Sequence, residues 1–176
     1  MSINDLIARI NASSQHRCLY HFTDASNLQT IKEKGLLSKA QMRLQGWWPA
    51  ATGGNALSHQ LDEHRGISKY VSLCFTNNHP MKHIAYQQGR LPSPRYLRIS
   101  ANVLRIAGVK VAFGVANAND TKIMHLSDAI PHMDLDVIYS RTNWSDAAIQ
   151  ARLQKAEKME LLVPDIVPSA LISWGG

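Results

Sequence analysis

Leu19-Tyr20-His21-Phe22-Thr23-Asp24-Ala25-Ser26-Asn27-Leu28-Gln29-Thr30-Ile31, running on to Gly35-Leu36-Leu37-Ser38, is the segment from which the architecture follows. Leu19 to Thr23 alternates apolar and polar residues, the pattern of a half-buried strand. Asp24 or Ser26 can cap a short helix behind it, and Ser26-x-x-Gln29 has the form of a capping box. Leu28 and Ile31 give that helix an apolar face. Lys32 and Lys34 suit its C-terminal end, and Gly35 is placed to stop it. A strand therefore delivers His21 and Thr23 to the lip of a helix N-terminus, where free backbone N–H groups favour an anionic ligand. His21 is read either as a ligand contact or as a histidine packed at a strand end.

The same residues carry a resemblance. His-x-Thr, then Asn-Leu, then Ile-x-x-x-Gly-Leu-Leu resembles the opening of the DarT family, toxins that move ADP-ribose from NAD onto DNA bases. The resemblance implies that His21 holds the nicotinamide-side ribose, with Thr23 and Asn27 as further NAD contacts. It also implies Gly35, Leu36 and Tyr70 as part of the cofactor-binding wall.

Composition agrees with an enzyme of this kind without requiring it. A chain of 176 residues, 45% hydrophobic and 18% charged, is expected to fold as one domain over residues 1–176, with a core of its own. Nineteen Lys and Arg against thirteen Asp and Glu leave +6, which favours a polyanionic or phosphate-bearing partner. Cys18 and Cys74 have no paired spacing, as in a reducing compartment. Asp5 and Arg9 interrupt the N-terminus, so no signal or membrane-spanning segment is expected and the chain is placed in the cytoplasm.

Outward from the first segment, Ser2 to Ile10 reads as an amphipathic helix with Ser2 as cap. Residues 38–69 are irregular, with a loop through Trp47-Trp48-Pro49 and Thr52-Gly53-Gly54-Asn55 and a short helix near Ala56 to Glu63. A connection of this length is often a binding loop. Arg43, Trp47, Trp48, His59, His64 and Arg65 offer cationic and aromatic groups that can stack bases and meet phosphates. Anchoring of the tryptophans to the core is the alternative reading.

Lys69 to Thr76 is the clearest strand. Asn77-Asn78-His79 turns, Pro80 opens a helix and Gly89 ends it. Arg65, the Tyr70-Val71 strand and His79-Pro80-Met81 resemble, in outline, the DarT pattern of an arginine, a Tyr-Val-x-aromatic strand and a Ser-Pro-Met turn. Arg65 is thereby implied at the reacting centre, on the diphosphate or in support of the catalytic carboxylate. Leu73-Cys74-Phe75 departs from the family's Phe-Tyr-Phe. His79 and His83 have the spacing of a metal pair, but no third ligand is evident and no metal is expected.

Residues 95–100, 109–113 and 134–139 read as further strands. The irregular stretch 114–133 offers His125 as a substrate contact. Asp146 or Ser145 caps a basic helix that runs to Lys158. Met159-Glu160-Leu161-Leu162-Val163 then resembles the family's Ala-Glu-aromatic-Leu-Val motif and implies Glu160 as the catalytic carboxylate, with Glu157 the competing choice. Independently, a carboxylate heading an apolar strand is costly unless paired or at an edge.

The implied fold is α+β, the ADP-ribosyltransferase fold, with two packed small sheets, flanking helices and an NAD cleft. The implied activity is NAD-dependent mono-ADP-ribosylation of a nucleobase in single-stranded DNA or RNA, releasing nicotinamide. Guanine stands ahead of thymine because its N2 amine is an accessible nucleophile. A neutralising antitoxin protein is the expected partner. The alternatives are an RNA 2′-phosphotransferase, which would not need Glu160, and a protein-modifying transferase. Lys158, two residues before Glu160, speaks against the latter. A plain nucleic-acid-binding module is the fourth reading, and would turn over no NAD.

Overall fold

The computed structural model describes residues 1–54 and 56–174. Asn55, expected in the loop after Gly54, lies outside the described residues. Helix α1 (Ile3–Ala12) begins where the Ser2 hydroxyl accepts from the Asp5 N–H and the Asp5 carboxylate takes the Ser2 N–H. Reciprocal capping of this kind satisfies two donors that a helix end otherwise leaves bare. Leu6, Ile7 and Ile10 carry its buried face into the main core.

Strand β1 (Leu19–Asp24) runs into a single 3-10 turn (Ala25–Asn27) and helix α2 (Leu28–Lys34). Asp24 is the cap. Its carboxylate accepts from the Ser26 N–H and, across the fold, from the Ser93 N–H. These two backbone donors hold the Asp24 carboxyl below its usual range. The Ser26–Gln29 box does not form, because the Ser26 hydroxyl donates to Asp24 and the Gln29 amide to Glu33. Gly35 ends α2 at φ +78° and opens β2 (Leu36–Leu37).

Then follow α3 (Lys39–Leu44), α4 (Ala56–His64), β3 (Tyr70–Cys74), α5 (Pro80–Gln87) and β4 (Pro94–Ile99). The second half holds β5 (Lys110–Ala112), β6 (Ile123–His125), α6 (Leu126–Ala129), α7 (Leu135–Tyr139) and α8 (Ala147–Glu157). The chain closes with β7 (Glu160–Pro164), β8 (Ile166–Val167) and β9 (Ile172–Ser173). The strands assemble in the order β6-β5-β7-β3-β1-β4-β9, antiparallel throughout, with β2 and β8 as a separate pair. The α+β class is therefore as expected, although the strands form one large sheet and a two-stranded ribbon rather than two small sheets.

Val71 and Leu73 of β3, Phe75 just after it, and Leu161 and Val163 of β7 point into the main core, along with the buried faces of α1, α6 and α7. Alternation sends Tyr70, Ser72, Cys74 and Glu160 the other way. That opposite face is where the cleft lies. One expected strand is a helix. Residues 135–139 coil as α7 because Asp134 caps them through the Val137 N–H, and Leu135, Val137, Ile138 and Tyr139 are all buried. A strand with one buried face cannot bury the adjacent Val137, Ile138 and Tyr139 together. No helix among the described residues is long and apolar enough to cross a membrane.

Candidate active site

Three adjacent central strands, β7, β3 and β1, build the floor of a cleft of about 250 Å³. β7 contributes Glu160, β3 contributes Tyr70, Ser72 and Cys74, and β1 contributes His21 and Thr23. Asn27, Gly35 and Leu36 form one wall, and Val115 to Asn117 another. Trp47, Trp48 and the loop from Pro49 to Gly54 form the lip. Residues far apart in sequence thus meet because antiparallel pairing sets Glu160 opposite Cys74, and Cys74 opposite Tyr20.

Glu160 is 8% exposed and heads β7. Its Oε2 accepts a long hydrogen bond from the Ala116 N–H at 3.4 Å, and its Oε1 stands 3.3 Å from Nε2 of His79. Glu157, the competing carboxylate, lies on α8 outside this cleft, where it accepts from the Asn78 amide at 2.8 Å. Geometry therefore separates the two candidates.

His21 donates from Nδ1 to the Ser72 carbonyl at 3.0 Å. Burial holds its ring below the ordinary imidazole range, outweighing that carbonyl and the Glu160 carboxylate, so the ring is neutral at pH 7. With Nδ1 carrying the proton, Nε2 is left as an acceptor, suited to a hydroxyl donor. Thr23 and Asn27 serve each other: the Asn27 amide donates to Thr23 Oγ1 at 3.2 Å and to the Ala51 carbonyl at 2.7 Å. Asn27 is thus on the cleft wall, but its amide is spent fastening the lip loop. Burial also pushes the Cys74 thiol well above its ordinary range, which leaves it unreactive beside Glu160.

Trp48 is exposed at the lip, with its ring edge-on to His59 at 5.5 Å. A ring held this way offers a face for stacking. Three expected contacts are not brought to the cleft wall. Arg43, on α3, pairs with Glu63. His125, on β6, is exposed and sits opposite Lys110 at the end of the sheet. Arg65 donates to the Thr121 carbonyl at 2.8 Å. Thr121 in turn donates to the Val115 carbonyl at 2.7 Å, next to the Ala116 N–H that meets Glu160. Arg65 thus braces the loop that serves the carboxylate. Among the described residues no group of three or more His, Cys, Asp and Glu is gathered for a metal. Nδ1 of His79 instead caps α5, and His83 bonds Asn78.

His79 is the residue that sequence reasoning missed. The sequence places it in a turn and offers it as one of a metal-spaced pair, yet it is fully buried against Glu160. The sequence signal that points to it is its place directly before the helix-opening Pro80, in the His79-Pro80-Met81 turn.

The family model for "ssDNA thymidine ADP-ribosyltransferase, DarT" matches residues 20–174. No curated protein matches the chain. Among solved structures, the fold is similar to Thermosipho africanus DarTG in complex with ADP-ribose, at TM-score 0.68 and 21% identity. That match covers 89% of this chain and 42% of the other, so this chain spans less than half of that protein's length. It is also similar to Thermus sp. 2.9 DarT in complex with ADP-ribosylated ssDNA, at TM-score 0.62 and 21% identity, covering 88% of this chain and 78% of the other. The complex of the same Thermus protein with NAD+ matches at TM-score 0.59 and 21% identity, with the same coverage.

Proposed function

This chain belongs to the DarT family, and on that premise we propose that it transfers ADP-ribose from NAD to a nucleobase in single-stranded DNA, with release of nicotinamide. The observation that carries the reading is the convergence of Glu160 and a neutral His21 on one cleft floored by three central strands. We take residues 1–176 as one catalytic domain, acting in the cytoplasm.

Bound NAD supplies a ribose whose bond to nicotinamide breaks with positive charge building at the anomeric carbon. The protein's residues divide the work around that carbon. Nε2 of His21 accepts from a ribose hydroxyl and fixes the sugar over the β1–β3 floor. Gly35 and Leu36 border the bound sugar, and the Tyr70 ring closes the far side. The Glu160 carboxylate faces the developing charge and takes the proton of the attacking base nitrogen. In this balance one carbon–nitrogen bond breaks, another forms, and the proton passes to Glu160. Arg65 acts through the Thr121–Val115 loop on Glu160 rather than on the diphosphate. Arg43 and His125 lie where they can meet a DNA strand beyond the cleft, and Trp47 and Trp48 offer it stacking surfaces.

Single strands are favoured because a base nitrogen paired in a duplex cannot reach the ribose carbon. The reactivity of its N2 amine favours guanine. The description of the matching family favours thymidine, and we take thymidine as the acceptor with guanine second. A base-modifying activity of this kind calls for a neutralising antitoxin in the same cell, which we propose as the protein partner.

Incubation with labelled NAD and a panel of homopolymer-rich oligonucleotides, each as DNA and RNA, single- and double-stranded, with a protein extract alongside, tests the proposal. Label is expected on thymidine-containing single-stranded DNA. Label confined to protein defeats the nucleic-acid reading, and equal labelling of duplexes defeats the unpaired-base argument. A signal on RNA alone, or on guanine alone, replaces the named acceptor.

His21→Ala tests the cofactor role. It removes the ribose acceptor and strips the Ser72 carbonyl of its partner, an effect of about 1–3 kcal/mol. Calorimetry should then show NAD binding weakened by about fivefold or more. Unchanged affinity with a normal rate would return His21 to a packing role.

A further inference from the structure

Behind the Glu160 carboxylate stands the imidazole of His79. His79 is 0% exposed and is held on three sides. Its backbone N–H donates to the Tyr96 hydroxyl at 2.9 Å, and its Nδ1 accepts from the Met81 N–H at 3.2 Å to cap α5. The Phe22 ring stacks on the imidazole at 5.7 Å. Because Nδ1 is an acceptor in the cap, the neutral ring carries its proton on Nε2. That nitrogen has no formed hydrogen bond among the described residues, although it stands 3.3 Å from Oε1 of Glu160. A buried donor left unsatisfied is costly, and such groups in folded proteins call for an explanation.

We propose that His79 is the positioning residue of the catalytic carboxylate, its Nε2–H aligning on Oε1 of Glu160 once substrate fills the cleft. This rests on the proposed transferase reading and deepens it. Hydrogen bonds of a catalytic site are often long or misaligned in the free protein and tighten when substrate is bound. The Ala116 N–H already holds Oε2 at 3.4 Å, so alignment of His79 would grip the carboxylate at both oxygens and leave its other lone pairs available to the cleft. His79 itself does not line the cleft, so it acts on substrate only through Glu160. The cap on α5 and the Phe22 stack prevent the imidazole from turning away.

Two substitutions separate positioning from a purely structural role. His79→Asn keeps an oxygen where Nδ1 caps α5, since Asn is a good N-cap, but its side chain is too short to reach Glu160. His79→Gln reaches Glu160 with an amide N–H but caps poorly. The proposal expects His79→Asn, assayed where it is fully folded, to lose kcat by about tenfold or more, with KM for NAD within about twofold. His79→Gln should recover most of kcat despite a lower melting temperature. A His79→Asn enzyme with wild-type kcat, or activity that follows melting temperature in both variants, overturns it.

Should neither variant fold, nitrogen NMR of the wild-type protein with labelled histidine decides the matter. A buried ring with its proton on Nε2, whose signal moves in Glu160→Gln, supports the proposal, and a ring with its proton on Nδ1 overturns it. The two levels of failure are distinguishable. A wild-type protein that transfers nothing from NAD defeats the functional reading, whereas an active wild type matched by His79→Asn defeats only the role of His79.

Discussion

Glu160→Gln should bind NAD within about threefold of wild type while its transfer rate falls by about a hundredfold or more. The amide keeps the volume of the side chain and its place opposite Cys74 and Ala112. It also keeps an acceptor for the Ala116 N–H. What it loses is the negative charge facing the ribose and the capacity to take the proton of the attacking base. Both belong to the transition state, so the loss should appear in kcat rather than in binding. Glu157→Gln is the control. Its carboxylate meets the Asn78 amide outside the cleft, so its transfer rate should stay close to wild type. A Glu160→Gln enzyme with near-normal turnover would remove the carboxylate from the mechanism.

Gly35→Ala should destabilise the whole fold. Gly35 has φ +78° and ψ −174°, a conformation essentially reserved for glycine. A Cβ there would sit 2.5 Å from the Val167 carbonyl oxygen and 3.2 Å from the Ser169 nitrogen. Both obstacles are backbone, and neither can yield cheaply. Leu36 pairs with Val167 in the β2–β8 ribbon immediately beside the clash. Strain of about 1–3 kcal/mol in the backbone, with the collision added, should lower the melting temperature by roughly 6–12 °C for a chain of this size. Because Gly35 and Leu36 also line the cleft, NAD binding should weaken with it. A melting temperature within a degree or two of wild type would show that the ribbon can shift to make room.

Gly35 also shows what the sequence displays openly. A glycine after a short basic-ended helix announces a stop, and the alternation in Leu19 to Thr23 and in Tyr70 to Cys74 announces half-buried strands. These strand signals survive into the structure because both segments pair inside the central sheet, even though β1 is buried on both faces. A strand reading fails where a cap turns the chain instead. Leu135, Val137 and Tyr139 alternate on paper, yet Ile138 is buried as well and Asp134 supplies a cap, so the segment coils. Short α3 has too few residues to display a helical period, although Ser38 caps it through the Gln41 N–H.

Strand order is a different problem. Nothing local in β7 says that it inserts between β5 and β3, and that insertion is what makes one large sheet and places Glu160 near His21. His21, Thr23, Tyr70 and Glu160 were legible through motif and resemblance, whereas Ser72 and Cys74 beside them were not. The role of Arg65 depends on Thr121, 56 residues away, and that of His79 on Glu160. Contacts at such separation leave no mark in a one-dimensional pattern. Asn27 shows the converse: its position was found, but its amide is already committed to Thr23 and Ala51.

The central claim, transfer of ADP-ribose to a base through Glu160, is tested most directly by the mass of a defined oligonucleotide. A single-stranded DNA carrying one thymidine is incubated with NAD and either the wild-type protein or Glu160→Gln, and the product is fragmented to locate any addition. The account predicts that the wild type adds one ADP-ribose to the thymidine base with one nicotinamide released per product, and that Glu160→Gln leaves the strand at its original mass. An oligonucleotide of unchanged mass in the presence of the wild type, or an identical addition by Glu160→Gln, would contradict it.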